Sequence, residues 1–147
     1  MGKRRQSREA ALKLLYAVDM THAALQDMLR APWVEQIVPD EVRDFTTRLV
    51  TGVLQRRDEI DMSIQEYSTN WSLERIGLVE RNILRFAIYE LCFMPDIPPN
   101  VTINEAVEVA KKYGTEEAPA FINGILDRIK HAVEQHPEKM SVAYSSS

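Results

Sequence analysis

Val79-Glu80-Arg81-Asn82-Ile83-Leu84-Arg85-Phe86-Ala87-Ile88-Tyr89-Glu90-Leu91 is the stretch that decides the fold. Its apolar residues Val79, Ile83, Leu84, Phe86, Ala87, Ile88 and Leu91 fall on more than one face of a helix. A helix apolar over most of its circumference is covered on several sides, so the segment predicts a central helix among other helices. Upstream, Ala11, Leu14, Leu15 and Val18 recur at i, i+3, i+4 and i+7, one apolar face. Ser7 is read as the N-cap of that helix and Glu9 as a favourable charge near its start. Helix formers continue through Ala23, Ala24 and Leu25 until Pro32 interrupts.

After Pro39, Asp40 can cap a helix with Glu41 in its first turn, and Val42, Phe45, Leu49 and Val53 carry the stripe. Ile60, Ile64 and Tyr67 follow, separated from it by Gly52 and Arg56-Arg57-Asp58-Glu59; one long helix or two remains open over residues 41–68. Ser72 is read as the cap of a short segment with Leu73 and Ile76, ending near Gly77. Pro95, Pro98 and Pro99 predict an extended loop, since proline lacks a donor and restricts its predecessor. Thr102-Ile103-Asn104-Glu105 reads as a capping box, with Val101 and Ala106 at staple positions. Ile103, Ala106, Val107 and Ala110 form the buried face behind it, and Gly114 is expected as a left-handed cap. A last helix restarts at Thr115 or Glu116 with Pro119 in its first turn, lined by Ile122, Ile125, Leu126, Ile129 and Val133. No alternating strand of useful length and no internal repeat occurs. The expected fold class is all-α, six to eight helices around residues 79–91, one domain over 1–137 and a flexible tail over 138–147.

Composition narrows the function classes. The 147 residues and 16.9 kDa suit one domain with one core, and 45% hydrophobic with 27% charged residues is ordinary for a globular chain. The single cysteine, Cys92, excludes an internal disulfide and a multi-cysteine zinc site and fits a reducing cytosol. No run approaches the ~18 apolar residues that cross a bilayer. No apolar stretch follows the basic start, so export is not expected and a cytoplasmic location is. Five glycines leave no GxxxxGK or GxGxxG phosphate loop. The net charge is −4, from 18 basic and 22 acidic residues. Residues 1–13 hold Lys3, Arg4, Arg5, Arg8 and Lys13 against Glu9, a local +4 that leaves −8 for the rest. An acidic body disfavours indiscriminate coating of a polyanion but allows a localised docking site.

The residues give little support to catalysis. His22, His131 and His136 form no HExxH and share no ligand spacing with Cys92, so no metal or cofactor is expected and the histidines read as surface residues. Cys92 ends an apolar helix and reads as a buried, inert thiol. Asp58, Glu59 and Asp61 read as an ion-paired helix face rather than converging metal ligands.

Three features each support two readings. Lys3-Arg4-Arg5-x-x-Arg8 is either a solubilising terminus or a flexible arm whose guanidinium forks meet phosphates. In Phe121-Ile122-Asn123-Gly124, Phe121 is either core or a stacking surface, and Asn123 meets either a base edge or a neighbouring helix end. Gly124 implies close approach of a helix or ligand backbone. Glu80, Arg81, Arg85, Tyr89 and Glu90 on the central helix are either internal pairs or a polar stripe facing a partner protein.

At these features the chain resembles the bacterial transcription antitermination factor family NusB. The matching blocks are Arg4-Arg5-x-x-Arg8-Glu9-x-Ala11 with Leu15-Tyr16, and Val79 to Arg85 with Tyr89-Glu90-Leu91. Val101-x-Ile103-Asn104-Glu105-Ala106-x-Glu108-x-Ala110-Lys111 and Phe121-Ile122-Asn123-Gly124-Ile125-Leu126-Asp127 complete them. Any one block is weak; four in order, over most of the chain, are specific. The resemblance implies two packed helical bundles and no catalytic activity. It implies a factor that, with NusE, a small-subunit ribosomal protein, binds the boxA element of nascent RNA. There it helps RNA polymerase read through terminators, notably in ribosomal RNA operons. Carried over by position, Lys3, Arg4, Arg5, Arg8, Tyr16, Lys112, Glu117, Phe121 and Asn123 are the expected contacts to single-stranded RNA. Glu80, Arg81, Arg85 and Tyr89 are the expected contacts to NusE. Ala120 departs from the family pattern, which is commonly basic there, so one phosphate contact is either missing or supplied by Lys112. Two other readings compete. One is the helical domain of an RNA cytosine methyltransferase, although no cofactor-binding βαβ region follows in this sequence. The other is a protein-interaction module that binds no RNA.

Overall fold

The computed structural model describes residues 2–22, 27, 30, 38–68 and 72–135. Among them are six α-helices and no strand: α1 (Lys3–Thr21), α2 (Asp40–Gln55), α3 (Arg57–Tyr67), α4 (Leu78–Phe93), α5 (Pro99–Tyr113) and α6 (Ala118–Gln135). A 3-10 turn, Leu73–Arg75, precedes α4. The expected tail at 138–147 and the interruption at Pro32 lie outside the described residues.

The apolar sequence of α4 has the predicted consequence. Ile83, Leu84, Phe86, Ala87 and Ile88 are all buried, and α1, α2, α3, α5 and α6 all pack against this helix. On one side α1 lies along α2; on the other α5 lies along α6, with α3 across α6. The two helical groups share α4 and one continuous hydrophobic core. Fully burying one Leu or Ile contributes about 1.5–3 kcal/mol, so a helix carrying five buried apolar residues anchors both groups.

Several expected helix ends move, each for a physical reason. The N-terminal basic segment is not an arm: α1 starts at Lys3, with Gly2 at its N-cap. Ser7 is therefore an interior residue, buried, its hydroxyl shared between the Lys3 and Val42 carbonyls at 3.1 Å each. The 41–68 segment is two helices, broken at Arg56, whose N–H bonds to the Gly52 and Val53 carbonyls. Thr102 and Glu105 form no capping box, because Pro99 already starts α5 three residues earlier, where a missing N–H is harmless. Thr102 is buried and donates to Glu90 Oε1 at 2.9 Å instead, and Val101, the expected staple, is exposed. Gly114 is extended (φ −92°, ψ −177°), not left-handed. Glycine is required there by closeness: a Cβ would lie 2.7 Å from the Ala118 Cβ and 2.9 Å from Glu80 Oε2. Pro119 falls in the first turn of α6, as expected. Cys92 is buried, and burial pushes its thiol up to about 12.

Candidate nucleic-acid and partner interface

Two of the three opening arginines are anchored by carboxylates. The Arg8 guanidinium is 2% exposed and bidentate with Glu90, Nε–Oε2 at 2.7 Å and Nη2–Oε1 at 2.8 Å. Glu90 is itself fully buried, so this is an ion pair inside the core that ties α1 to α4. Arg5 closes its fork on Glu105 of α5 at 2.8 and 2.6 Å. The hydrogen bond from Arg5 holds the Glu105 carboxyl below its ordinary value, against the opposing effect of burial. The RNA contacts expected of Arg5 and Arg8 thus belong to side chains already committed to joining helices. Lys3 and Arg4 are exposed.

The exposed side of α1 continues through Lys13 and Tyr16, one turn apart. The α5 C-terminus comes alongside. Glu9 Oε1 accepts from Lys112 Nζ and from the Tyr113 hydroxyl, both at 2.8 Å. Burial pushes the Glu9 carboxyl up, but these two bonds and the nearby lysines outweigh it and hold it below its ordinary value. The Lys13 and Lys112 ammonium groups sit 5.7 and 5.3 Å from the Tyr113 ring centroid. Tyr113 is an aromatic flanked by two cations that the sequence reading missed. Its only signal was its place between Lys112 and Gly114, which does not reveal the approach of α1.

Tyr16, Leu78, Val79, Glu80, Tyr113 and Thr115 line a cleft of about 440 Å³. Glu80, expected on the NusE side, opens onto this cleft beside Tyr16, expected on the RNA side. Its Oε2 accepts the Thr115 N–H at 3.1 Å. Gly77 makes room for the carboxylate, since a Cβ there would lie 2.4 Å from Glu80 Oε1.

Glu117, just before α6, and Asn123 on α6 are exposed, and Phe121 is half-buried against the core edge. Nothing lies within 4 Å of a Cβ at Gly124, so no neighbouring helix approaches it as expected, and that surface is open. On α4, Arg85 is buried: Nε and Nη2 hold Asp61 at 2.8 and 3.0 Å, and Nη1 holds Asp19 at 2.8 Å. Arg57 and Asn82 also bond Asp19. Arg85 therefore joins α1, α3 and α4. Arg81 is half-buried, with Nη2 donating to the Ile76 carbonyl at 2.9 Å. Tyr89 is half-buried and stacks on Phe93, whose ring also carries the Arg56 guanidinium.

The face shared by α1 and α5 has exposed cations beside two tyrosines on an all-helical frame, Phe121 lies half-buried on α6, and among the described residues there is no cluster of three or more metal-binding side chains. Such a fold and surface define a class of helical binding protein. The NusB family model matches residues 5–131. The chain is 52% identical over 135 residues to the transcription antitermination protein NusB of Geobacter sulfurreducens, covering 88% of this chain and 94% of that one. It superimposes on T. maritima NusB with a TM-score of 0.78 at 38% identity, over 89% of this chain and 92% of that one. It also superimposes on a crystal structure of the antitermination factors NusB and NusE in complex with dsRNA. There the TM-score is 0.79 at 29% identity, over 90% of this chain and 98% of the other. The chain belongs to the NusB family, and its class is that of transcription antitermination factors rather than enzymes.

Proposed function

We propose that the chain binds boxA-type single-stranded RNA together with NusE in the cytoplasm, and so promotes read-through by RNA polymerase, notably in ribosomal RNA operons. The observation that carries this reading is the Lys13–Tyr16–Tyr113–Lys112 face: cations for phosphates beside aromatic rings on which unstacked bases can rest. Lys3 and Arg4 add cations at the start of α1, and Phe121 and Asn123 on α6 add an aromatic and a polar contact, with Glu117 just before that helix. Arg5 and Arg8 support this surface by fixing α1. NusE docks through the half-exposed parts of Arg81 and Tyr89 on α4, and Glu80 sits at the cleft beside Tyr16; Arg85 supports that helix from within. A chain with net charge −4 binds RNA weakly alone, so a basic partner that completes the surface fits its electrostatics.

The test is RNA binding by the full chain with and without NusE, over a range of salt. Four phosphate contacts on a single strand give a slope of log K against log salt of about −3. NusE should tighten binding. Replacing Lys3 and Arg4 with Ala should flatten the slope by roughly 1–1.5 while leaving the fold intact. A slope near zero, or no RNA binding with NusE present, overturns the reading.

A further inference from the structure

The first two turns of α1 place three arginines in three environments. Arg8 is closed in the core with Glu90, and Arg5 is closed on Glu105. Arg4 is exposed, and among the described residues no carboxylate lies within ion-pair distance of it. Its guanidinium lies instead over the ring of Phe45, 4.6 Å from the centroid. Phe45 comes from α2, is half-buried, and packs against the core; Arg8 lies 5.5 Å from the same ring. The ring is thus fixed from below and presents a surface to Arg4.

A guanidinium held over a ring by cation–π attraction keeps its N–H donors for a ligand, because the aromatic ring takes up no conventional hydrogen-bond acceptor role. The contact also removes conformational freedom from a long side chain before any ligand arrives, which reduces the entropy lost on binding. Phosphate is the ligand class that matches a planar cationic fork with no carboxylate on it. We propose that Phe45 is a positioning residue for phosphate recognition, holding the Arg4 guanidinium ready to meet a backbone phosphate of the bound RNA. Arg4 is then the arginine of the opening segment that faces nucleic acid, while Arg5 and Arg8 face carboxylates. This rests on the RNA reading above and extends the binding surface onto α2.

The experiment uses the full chain with NusE and a single-stranded RNA oligonucleotide carrying a boxA element, titrated over a range of salt. The variants are Arg4→Ala, Phe45→Leu, Phe45→Tyr and the double variant Arg4→Ala/Phe45→Leu. Urea unfolding of each lets affinity be expressed per folded molecule. Arg4→Ala should flatten the salt slope by about 0.7, one phosphate on a single strand. Phe45→Leu, which keeps apolar bulk and loses the π face, should weaken binding about threefold. Phe45→Tyr should restore the affinity of the unaltered chain. Phe45→Leu should cost nothing further in the Arg4→Ala background, a coupling that a merely structural role would not produce. Equal weakening by Phe45→Leu in both backgrounds, or wild-type affinity in that variant, overturns the positioning role while leaving RNA binding intact. An unchanged slope in Arg4→Ala overturns it even if Phe45→Leu fails to fold. Failure of the unaltered chain to bind RNA with NusE overturns the RNA reading itself and the proposal with it.

Discussion

Arg8 and Glu90 form a two-bonded ion pair sealed inside the protein, with side-chain exposures of 2% and 0%. The Thr102 hydroxyl completes it by donating to Glu90 Oε1, so α1, α4 and α5 meet at one carboxylate. Removing Arg8 leaves the buried Glu90 charge uncompensated, which costs about 3–5 kcal/mol, while removing Glu90 leaves Arg8 only its longer pair with Glu105 at 3.7 Å. Arg8→Met and Glu90→Gln should therefore each lower urea-unfolding stability strongly. RNA affinity per folded molecule should stay at the wild-type value in both. A loss of affinity confined to Arg8→Met, with stability preserved, would return Arg8 to the RNA surface.

Asp19 predicts an acid-sensitive joint. Burial pushes its carboxyl up, but the Asn82 hydrogen bond and the Arg85 and Arg57 charges outweigh burial and lower it below the ordinary 3.8. A carboxyl depressed on folding contributes stability that is fully present above its unfolded value and lost as pH falls through the folded one. Stability should thus be level from neutral pH down to about 5 and fall below about pH 4. Asp19→Asn should be less stable at pH 7 and show a shallower fall below pH 4. Parallel acid unfolding curves for the two chains would show that Asp19 is not a source of the pH dependence.

The central helix was legible because its evidence is local: an apolar circumference needs no knowledge of neighbours. The helix ends were less so. Thr102 and Glu105 satisfy the pattern of a cap, yet Pro99 opens the helix first and tertiary partners claim both side chains, Glu90 for Thr102 and Arg5 for Glu105. The charged residues divide in the same way. Lys3, Arg4 and Lys13 look like Arg5 and Arg8 in sequence; only the placement of Glu90 and Glu105, some 80 to 100 residues away, separates surface cations from core ones. Arg85 is hidden for the same reason, since Asp19 and Asp61 come from two other helices. Local periodicity carries no information about such distant pairings.

Gly52 of α2 lies under Tyr89 of α4 so closely that a Cβ would fall 2.1 to 2.6 Å from three ring atoms. The ring must therefore move if a side chain is added. Gly52→Ala should displace Tyr89 from its stack on Phe93, now 5.4 Å between centroids, and lower stability by about 1–3 kcal/mol, the usual range for overpacking. The penalty should shrink in the Tyr89→Ala background, because the obstructing ring is gone. A double-mutant cycle by urea unfolding checks this, and strict additivity would show that some other contact sets the closeness. NusE affinity of Gly52→Ala, measured in parallel, reports whether the displaced Tyr89 ring belongs to the partner surface.

Phe121 lies where core and surface meet. It is one residue before the fully buried Ile122 and one turn before Ile125, which puts it at the edge of the α6 apolar stripe. The ring is half-buried, so part of its area packs on the core and part stays open on the side of the exposed Glu117, four residues back, while Asn123 lies on another side of the helix. A fully buried phenylalanine costs about 3–5 kcal/mol of stability on truncation to Ala, so a half-buried one should cost less, roughly 1–3 kcal/mol. Stacking on a base contributes roughly 1–3 kcal/mol of binding. Phe121→Ala should therefore lower both quantities. Phe121→Leu should recover most of the stability, by restoring apolar bulk, without recovering the RNA affinity, because it has no aromatic face. Urea unfolding and RNA titration of both variants separate the two contributions. Equal recovery of stability and affinity in Phe121→Leu would show that the ring contributes to RNA binding only by holding α6 in place.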